Sequence, residues 1–502
     1  FKLKSGTTLV DIETLKSIGS FYSHDYKKHT VSIKLPKKMR GESNFVNVSI
    51  GGPIRTDLLS NAIYLYAENL IAKSLKFKAV NSILQKKRPE FKGKKDLETI
   101  VKNKDLIEDI DKSINALDQS YLFIQGPPGT GKTYINARVI HDLIKKGKKV
   151  AISSNSHKVI HNLLDRIEEF SKFSKLKYVG IKKSTSGNKE SEYISSNISS
   201  LNKTIDSKNP DLSLMPENVK LFAATKYELC KPIYAEKYDY IFIDEAGQIS
   251  IADMVVSGMC AKNIILIGDP QQLPQPSQLV HPGESGLSIL EFLLEDKQTI
   301  PKDRGIFMDY TRRLNTPICN FISNSFYDGR LKPMKENDIR KILDADFLNI
   351  QSGIIIYETN HIGNTQKSEE EGKIINDLYN KLIGKTLVDE NGKRKIILND
   401  ILTIAPYNVQ VNYLSNLLPE GSRVGTIDKF QGQESAISIL SMTSSEQENI
   451  PRGINFLFSA NRLNVAISRT RSLSIVLMNK PLFNSYANTI KQLKLINNFS
   501  SL

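Results

Sequence analysis

The apolar run Tyr121-Leu-Phe-Ile-Gln125 leads straight into Gly126-Pro-Pro-Gly-Thr-Gly-Lys-Thr133. No other stretch constrains the fold as tightly. It predicts a buried strand, a glycine-rich loop and then a helix. In such a loop Gly126, Pro127, Pro128, Gly129, Thr130 and Gly131 keep the backbone free of bulky side chains. The N–H groups can then close on phosphate oxygens, with a helix N-terminus behind them. Lys132 is spaced to reach β- and γ-phosphates, and the Thr133 hydroxyl to ligate Mg²⁺. The motif implies a nucleoside triphosphate with magnesium.

A phosphate loop that supports hydrolysis needs carboxylates. Tyr238-Asp-Tyr-Ile-Phe-Ile243 reads as a second buried strand, and Asp244 and Glu245 follow it. Asp244 suits the magnesium, held through water. Glu245 suits orienting and deprotonating the attacking water. A third strand, Asn263–Gly268, ends in Asp269-Pro-Gln-Gln272. Gln272 is spaced to touch both the γ-phosphate and Glu245. Three strands that deliver polar residues at their carboxyl ends are how open α/β sheets build ligand sites.

Further segments occur in a fixed order: Ile152-Ser-Ser-Asn-Ser-His-Lys158, Phe222-Ala-Ala-Thr-Lys226, Asp244-Glu-Ala-Gly-Gln248, Tyr310-Thr-Arg-Arg-Leu-Asn315, Ile404-Ala-Pro-Tyr407, Val424–Glu434 and Arg462–Arg471. With the phosphate loop they resemble the motifs of superfamily 1 helicases over roughly residues 120–480. The second motif and the loop after Gly268 resemble the 1B branch, which includes the nonsense-mediated-decay helicase and nuclease–helicase proteins. The wording of Phe326-Tyr-Asp-Gly-Arg-Leu331 is most similar to the helicase half of bacterial RecB-like nuclease–helicase fusions. The resemblance implies ATP, or another nucleoside triphosphate, and Mg²⁺ as cofactors. It implies Arg313 and Arg469 as arginine fingers, chemistry that a planar, permanently charged guanidinium suits. It implies Glu434 at the nucleotide sugar. It implies Ser154, Asn155, Thr225, Pro406, Tyr407 and Thr426 along a single-strand track. Tyr407, directly after a strand, suits a core aromatic as well. One departure is the absence of a glutamine in Leu106–Lys112, where the family carries its adenine-reading residue.

The 502 residues carry 69 Lys and Arg against 54 Asp and Glu, a net charge of +15. That surplus suits a phosphate-backbone binder, and single-stranded nucleic acid, DNA before RNA, is the expected partner. Cys230, Cys260 and Cys319 lie too far apart for a CxxC pair, a zinc site or a four-cysteine cluster. Three isolated cysteines and the lack of any long apolar run point to a cytoplasmic protein without a membrane partner. His157 and His161 read as ordinary helix residues. The chain starts with Phe1, which suggests a piece of a longer protein.

The expected fold is α/β, with two RecA-like P-loop NTPase domains. Residues 1–100 read as a β-rich and helical accessory region, with short strands at Thr30–Lys34 and Phe45–Ser49 and a helix over 56–82. Residues 101–297 read as the first RecA-like domain. Its stretch 172–219, rich in Lys, Ser and Asn, is an insertion for which the resemblance implies a helical subdomain. Residues 298–502 read as the second. Pro210-Asp211 and Glu217-Asn-Val-Lys220 lack nuclease spacing, so any nuclease would be a separate domain or subunit. The motifs imply a 5′-to-3′ motor on single strands. A non-unwinding translocase and a nucleotide-switched binding module are the alternatives.

Overall fold

The computed structural model describes residues 5–14, 17–25, 28, 30–36, 47–50, 56–93, 99–101, 105–185, 188–195, 202–207, 219–274, 281–430 and 432–501. Part of the expected strand Phe45–Ser49 and of the excluded nuclease pattern at 210–220 lies outside them.

The chain divides into two compact units, Phe1–Asn61 and Ala62–Leu502. The first is an antiparallel sheet of β1 (Thr8–Asp11), β2 (Ser17–Asp25), β3 (Thr30–Lys34) and β4 (Val48–Ile50), in the order β3-β2-β1-β4. Leu9, Ile18 and Phe21 form its small core. The helix Asp57–Ile71 spans the division. The long helix expected over 56–82 breaks before Lys78–Leu84, with Phe77 left-handed at φ 57° between the two pieces. The accessory region expected to residue 100 ends sooner, because Val80 and Ile83 of that second helix are buried in the core of the larger unit.

The larger unit holds two parallel sheets. The first contains β5 (Tyr121–Gln125), β6 (Val150–Ser153), β7 (Tyr178–Lys183), β8 (Asn202–Ser207), β9 (Val219–Ala223), β10 (Tyr238–Ile243), β11 (Ala261–Gly268) and β12 (Gly305–Phe307), in the order β12-β5-β11-β10-β6-β9-β7-β8. Every residue of β5 is buried. Leu122 and Ile124 face one core and Tyr121 and Phe123 the other, as expected for a strand covered on both sides.

Two boundaries differ from expectation. The described residues of the stretch 172–219 include β7 and β8, which extend the first sheet where a helical subdomain was expected. Its cause is visible in Tyr178-Val-Gly-Ile-Lys-Lys183, whose burial alternates. The first sheet also runs past residue 298, since β12 pairs with β5.

Next come the short pair β13 (Tyr310–Thr311) and β14 (Lys332–Pro333), and then β15 (Lys341–Leu343). The second parallel sheet comprises β16 (Gly353–Thr359), β19 (Ile401–Ile404), β20 (Arg423–Gly425), β21 (Ser435–Ser441) and β22 (Thr470–Asn479), in the order β16-β22-β21-β19-β20. Strands β17 (Thr386–Asp389) and β18 (Gly392–Lys395) pair with β15 in a separate antiparallel sheet. The helix Thr316–Phe326 lies between the two halves. Its Ile318, Cys319 and Ile322 belong to one apolar cluster that includes Leu266 of the first sheet and Val476 of the second.

The carboxyl ends of the second sheet are braced by a buried polar knot. His361 Nε2 lies 3.3 Å from Glu371 Oε1, and Glu371 Oε2 accepts from Ser441 Oγ at 2.5 Å and from the Thr443 amide at 3.0 Å. Among the described residues, no helix is long and apolar enough to cross a membrane.

Candidate nucleotide and nucleic-acid site

The loop Gly126–Gly131 joins β5 to the helix Lys132–Lys145, as its sequence predicts. Gly129 has φ +75°, and a Cβ there would strike Arg313 and Thr311. Glycine is required both by the left-handed backbone and by that close approach. A Cβ on Gly126 would strike the Lys132 side chain. The Lys132 ammonium instead donates to the Gly126 carbonyl at 2.7 Å, so it lies folded over the loop where phosphates would bind. Thr133 opens the helix, partly exposed on the same loop. Thr130 donates to the Pro127 carbonyl at 2.8 Å, and Thr311 Oγ1 donates to that of Pro128 at 2.9 Å. The loop is thus stitched to the chain around β13.

Asp244 and Glu245 follow β10, beside the loop that follows β5 two strands away. Asp244 is buried. Burial, then the charge of Glu245, push its carboxyl up, and Lys132 opposes the shift. A cation at this position would restore the charged form. Glu245 is left-handed at φ 53°, a conformation that costs energy for any side chain and that clusters at functional sites. Gln272 is buried and donates to Asp269 Oδ2 at 2.9 Å. Asp269 itself is pushed up by burial, against Lys132 and its hydrogen bonds.

Two arginines approach from the other half. Arg313 Nε donates to Glu434 Oε2 at 2.7 Å, and its Nη1 donates to the Ser468 carbonyl at 3.2 Å. The structure therefore joins the candidate sugar contact to the candidate finger. Arg469 caps the helix Ala460–Ser468 and is 3% exposed. Its Nη1 donates to Gln433 O at 3.3 Å, but Nε and Nη2 are buried without a hydrogen-bond partner among the described residues. Burial, then the neighbouring charge of Arg313, push its guanidinium down to about 10, while Glu245 and Glu434 pull the other way. A buried cation with unfilled donors fits an anion. The glycine cradle, the buried carboxylate and the unfilled guanidinium together suit a triphosphate with Mg²⁺.

The candidate track residues lie at strand ends. Ser154 follows β6, its hydroxyl buried without a partner among the described residues, and Asn155 Nδ2 donates to the Gln248 carbonyl. Thr225 precedes the short helix Lys226–Leu229. Pro406 follows β19 closely and Thr426 follows β20, both half-buried. Tyr407 is 5% exposed, its hydroxyl donates to Pro451 O at 3.2 Å, and its ring centroid lies 5.7 Å from that of Phe456. Its ring is packed, leaving little face for a base.

Several contributors were missed in the sequence. Phe456 is covered by Arg452 and Arg462, with guanidinium carbons 4.4 and 4.6 Å from the ring centroid. Arg340 donates to the carbonyls of Arg313 and Arg312 at 2.6 and 3.1 Å and so fixes that segment. Tyr327, Asn461 and Asn464 join the Asp269–Gln272 loop to the second half. Tyr327 had a signal in the quoted Phe326–Leu331 segment, and Arg462 and Asn464 had one in Arg462–Arg471.

Fold and site define a P-loop NTPase with two RecA-like domains. A family described as "AAA domain" matches residues 286–481, and one described as "Type III restriction enzyme, res subunit" matches 96–265. DNA polymerase alpha-associated DNA helicase A of Schizosaccharomyces pombe is 25% identical over 405 residues, covering 69% of this chain and 59% of that protein. Human DNA replication ATP-dependent helicase/nuclease DNA2 is 26% identical over 410 residues, 76% of this chain and 37% of that protein. ATP-dependent helicase upf1 of S. pombe is 25% identical over 423 residues, 74% of this chain and 44% of that protein. The chain thus spans less than two thirds of each relative's length. All three relatives are named helicases.

Proposed function

We propose that this chain is an ATP-driven motor of the 1B branch that moves 5′-to-3′ on single-stranded nucleic acid, DNA before RNA, and separates strands. The observation that carries the reading is Arg469, a buried guanidinium whose Nε and Nη2 have no partner among the described residues and which senses the charges of Arg313 and Glu245. A dead nucleotide switch has no use for an intact base and a waiting finger. Bound ATP and Mg²⁺ would supply a phosphoanhydride and a Lewis acid. Lys132 and the loop amides would hold the phosphates. Asp244 would hold the metal, and Glu245 would take the proton of the attacking water. Arg313 and Arg469 would meet charge as it builds on the transferred phosphoryl group. Closure of the two halves around the triphosphate and its release afterwards would shift the grip on a strand.

Two of the relatives carry DNA in their printed names, which supports the preference for DNA. The helicase/nuclease name of one supports a nuclease as partner. The strand would lie along Ser154, Asn155, Thr225, Pro406 and Thr426, bound mainly through its backbone. The test is strand displacement on DNA and RNA duplexes with 5′ or 3′ tails. Opening of 5′-tailed DNA with ATP is expected. Opening of 3′-tailed substrates alone rejects the polarity, and hydrolysis indifferent to any nucleic acid rejects the motor.

A further inference from the structure

The nucleotide loop after β11 is held by the other half of the molecule at every step. Asn461 Nδ2 donates to the Pro270 carbonyl at 2.9 Å and also to that of Gln272. Asn464 Nδ2 donates to the Gln271 carbonyl at 2.8 Å. Both asparagines stand on the helix Ala460–Ser468, which Arg469 caps.

Between loop and helix sits Tyr327, fully buried at the end of the helix Thr316–Phe326. Its hydroxyl donates to Asp269 Oδ2 at 2.6 Å and accepts from Asn464 Nδ2 at 2.8 Å. The same Asp269 oxygen accepts from Gln272. A continuous chain of hydrogen bonds therefore runs Gln272–Asp269–Tyr327–Asn464. It starts at the side chain spaced to meet the γ-phosphate and ends on the helix that carries Arg469. Such a chain is polarised along its length and has few alternatives in a dry core.

We propose that Tyr327 is a positioning residue whose hydroxyl relays the state of the Gln272 loop to the Arg469 helix, and so couples hydrolysis to movement on the strand. This rests on the motor reading above. Tyr327→Phe removes the relay and little else. Asp269 Oδ2 keeps Gln272, its Oδ1 keeps the Gln271 amide at 3.1 Å, and Asn464 keeps the Gln271 carbonyl. No strongly polar group is stranded, and the ring stays packed near Phe307.

The experiment measures base pairs opened per ATP hydrolysed on a 5′-tailed DNA duplex, together with hydrolysis rate and melting temperature. Tyr327→Phe should lower the number opened per ATP about tenfold, the size of one buried hydrogen bond lost from a coupling path. Hydrolysis itself should fall by much less. Tyr379→Phe is the control: it deletes a buried hydroxyl that bonds Thr403 at 2.8 Å, away from the loop. It should leave the ratio as in wild type. A ratio unchanged in Tyr327→Phe, or lowered equally in Tyr379→Phe, overturns the relay while a strand-stimulated wild type upholds the motor. Equal falls in hydrolysis and opening mean a merely structural role and also overturn it. A wild type that ignores single strands rejects the motor and the relay with it.

Discussion

The two parallel sheets of the larger unit present opposite edges to the candidate nucleotide site. The first offers its carboxyl ends: the phosphate loop after β5, Asp244 after β10 and Asp269 after β11. The second offers its amino ends: Glu434 precedes β21 and Arg469 precedes β22. The carboxyl ends of β19 and β20 carry Pro406, Tyr407 and Thr426 instead. One sheet thus carries the candidate phosphate cradle, metal ligand and base. Its partner supplies cations on one edge and keeps the other for hydroxyls, amides and the His361–Glu371 knot. The comparison teaches that a duplicated fold need not duplicate its site. Charges that must meet are contributed from unlike edges, so the site is complete only when the halves are together.

The sharpest way to break this comparison is at the second sheet's amino edge. Arg469→Ala should lower turnover by about 10³-fold or more with little loss of nucleotide binding, and Arg469→Lys should not rescue it. Steady-state hydrolysis with parallel binding of a fluorescent ATP analogue checks both. A variant that keeps half its turnover would make Arg469 structural and remove the asymmetry.

On the first sheet, Glu245→Gln should cost roughly 10²- to 10⁴-fold in hydrolysis while ATP still binds, because only the base is lost. Lys132→Ala should weaken binding as well. Single-turnover hydrolysis beside equilibrium binding separates the two, and near-normal turnover in Glu245→Gln would rule out that carboxylate as the base.

The far edge of the second sheet should respond in stability rather than chemistry. Glu371→Ala removes a buried partner from His361 Nε2, the Ser441 hydroxyl and the Thr443 amide at once, so denaturant unfolding should lose on the order of 3 kcal/mol. Glu371→Gln, which keeps one acceptor oxygen for Ser441 and the Thr443 amide, should lose less. If Ala cost nothing, the knot would not brace that edge.

The smallest effect is expected at Tyr407. Tyr407→Phe removes one hydroxyl bond to Pro451 and should change strand affinity less than twofold or so, since the packed ring is retained. A large loss of binding to a homopolymer would mean that the ring leaves its core position to stack on bases.

Most of the nucleotide site was legible because its chemistry is local. A glycine-rich turn after an apolar strand needs only a dozen adjacent residues, so Gly126–Thr133 announces itself. Asp244 and Glu245 do so for the same reason. The partition of the chain was less legible. The alternation of Tyr178–Lys183 hid in a polar stretch, and β12 is three residues long. Pairing with an existing sheet, not intrinsic pattern, makes such segments strands.

The sequence alone determined a strand–loop–helix of the kind that suits phosphate, two carboxylates behind a buried strand and a set of arginines downstream. Tertiary structure decided what those arginines meet. Arg313 is paired with Glu434 across 121 residues, and Arg469 is left with two buried donors that no described residue fills. It also decided that Tyr327 bonds Asp269 and Asn464, 58 and 137 residues away. The physical reason is range. Backbone turns and strand periodicity are set by neighbours in the chain. Desolvation, ion pairing and hydrogen-bond chains depend on groups that only folding brings within 3 Å or so of each other.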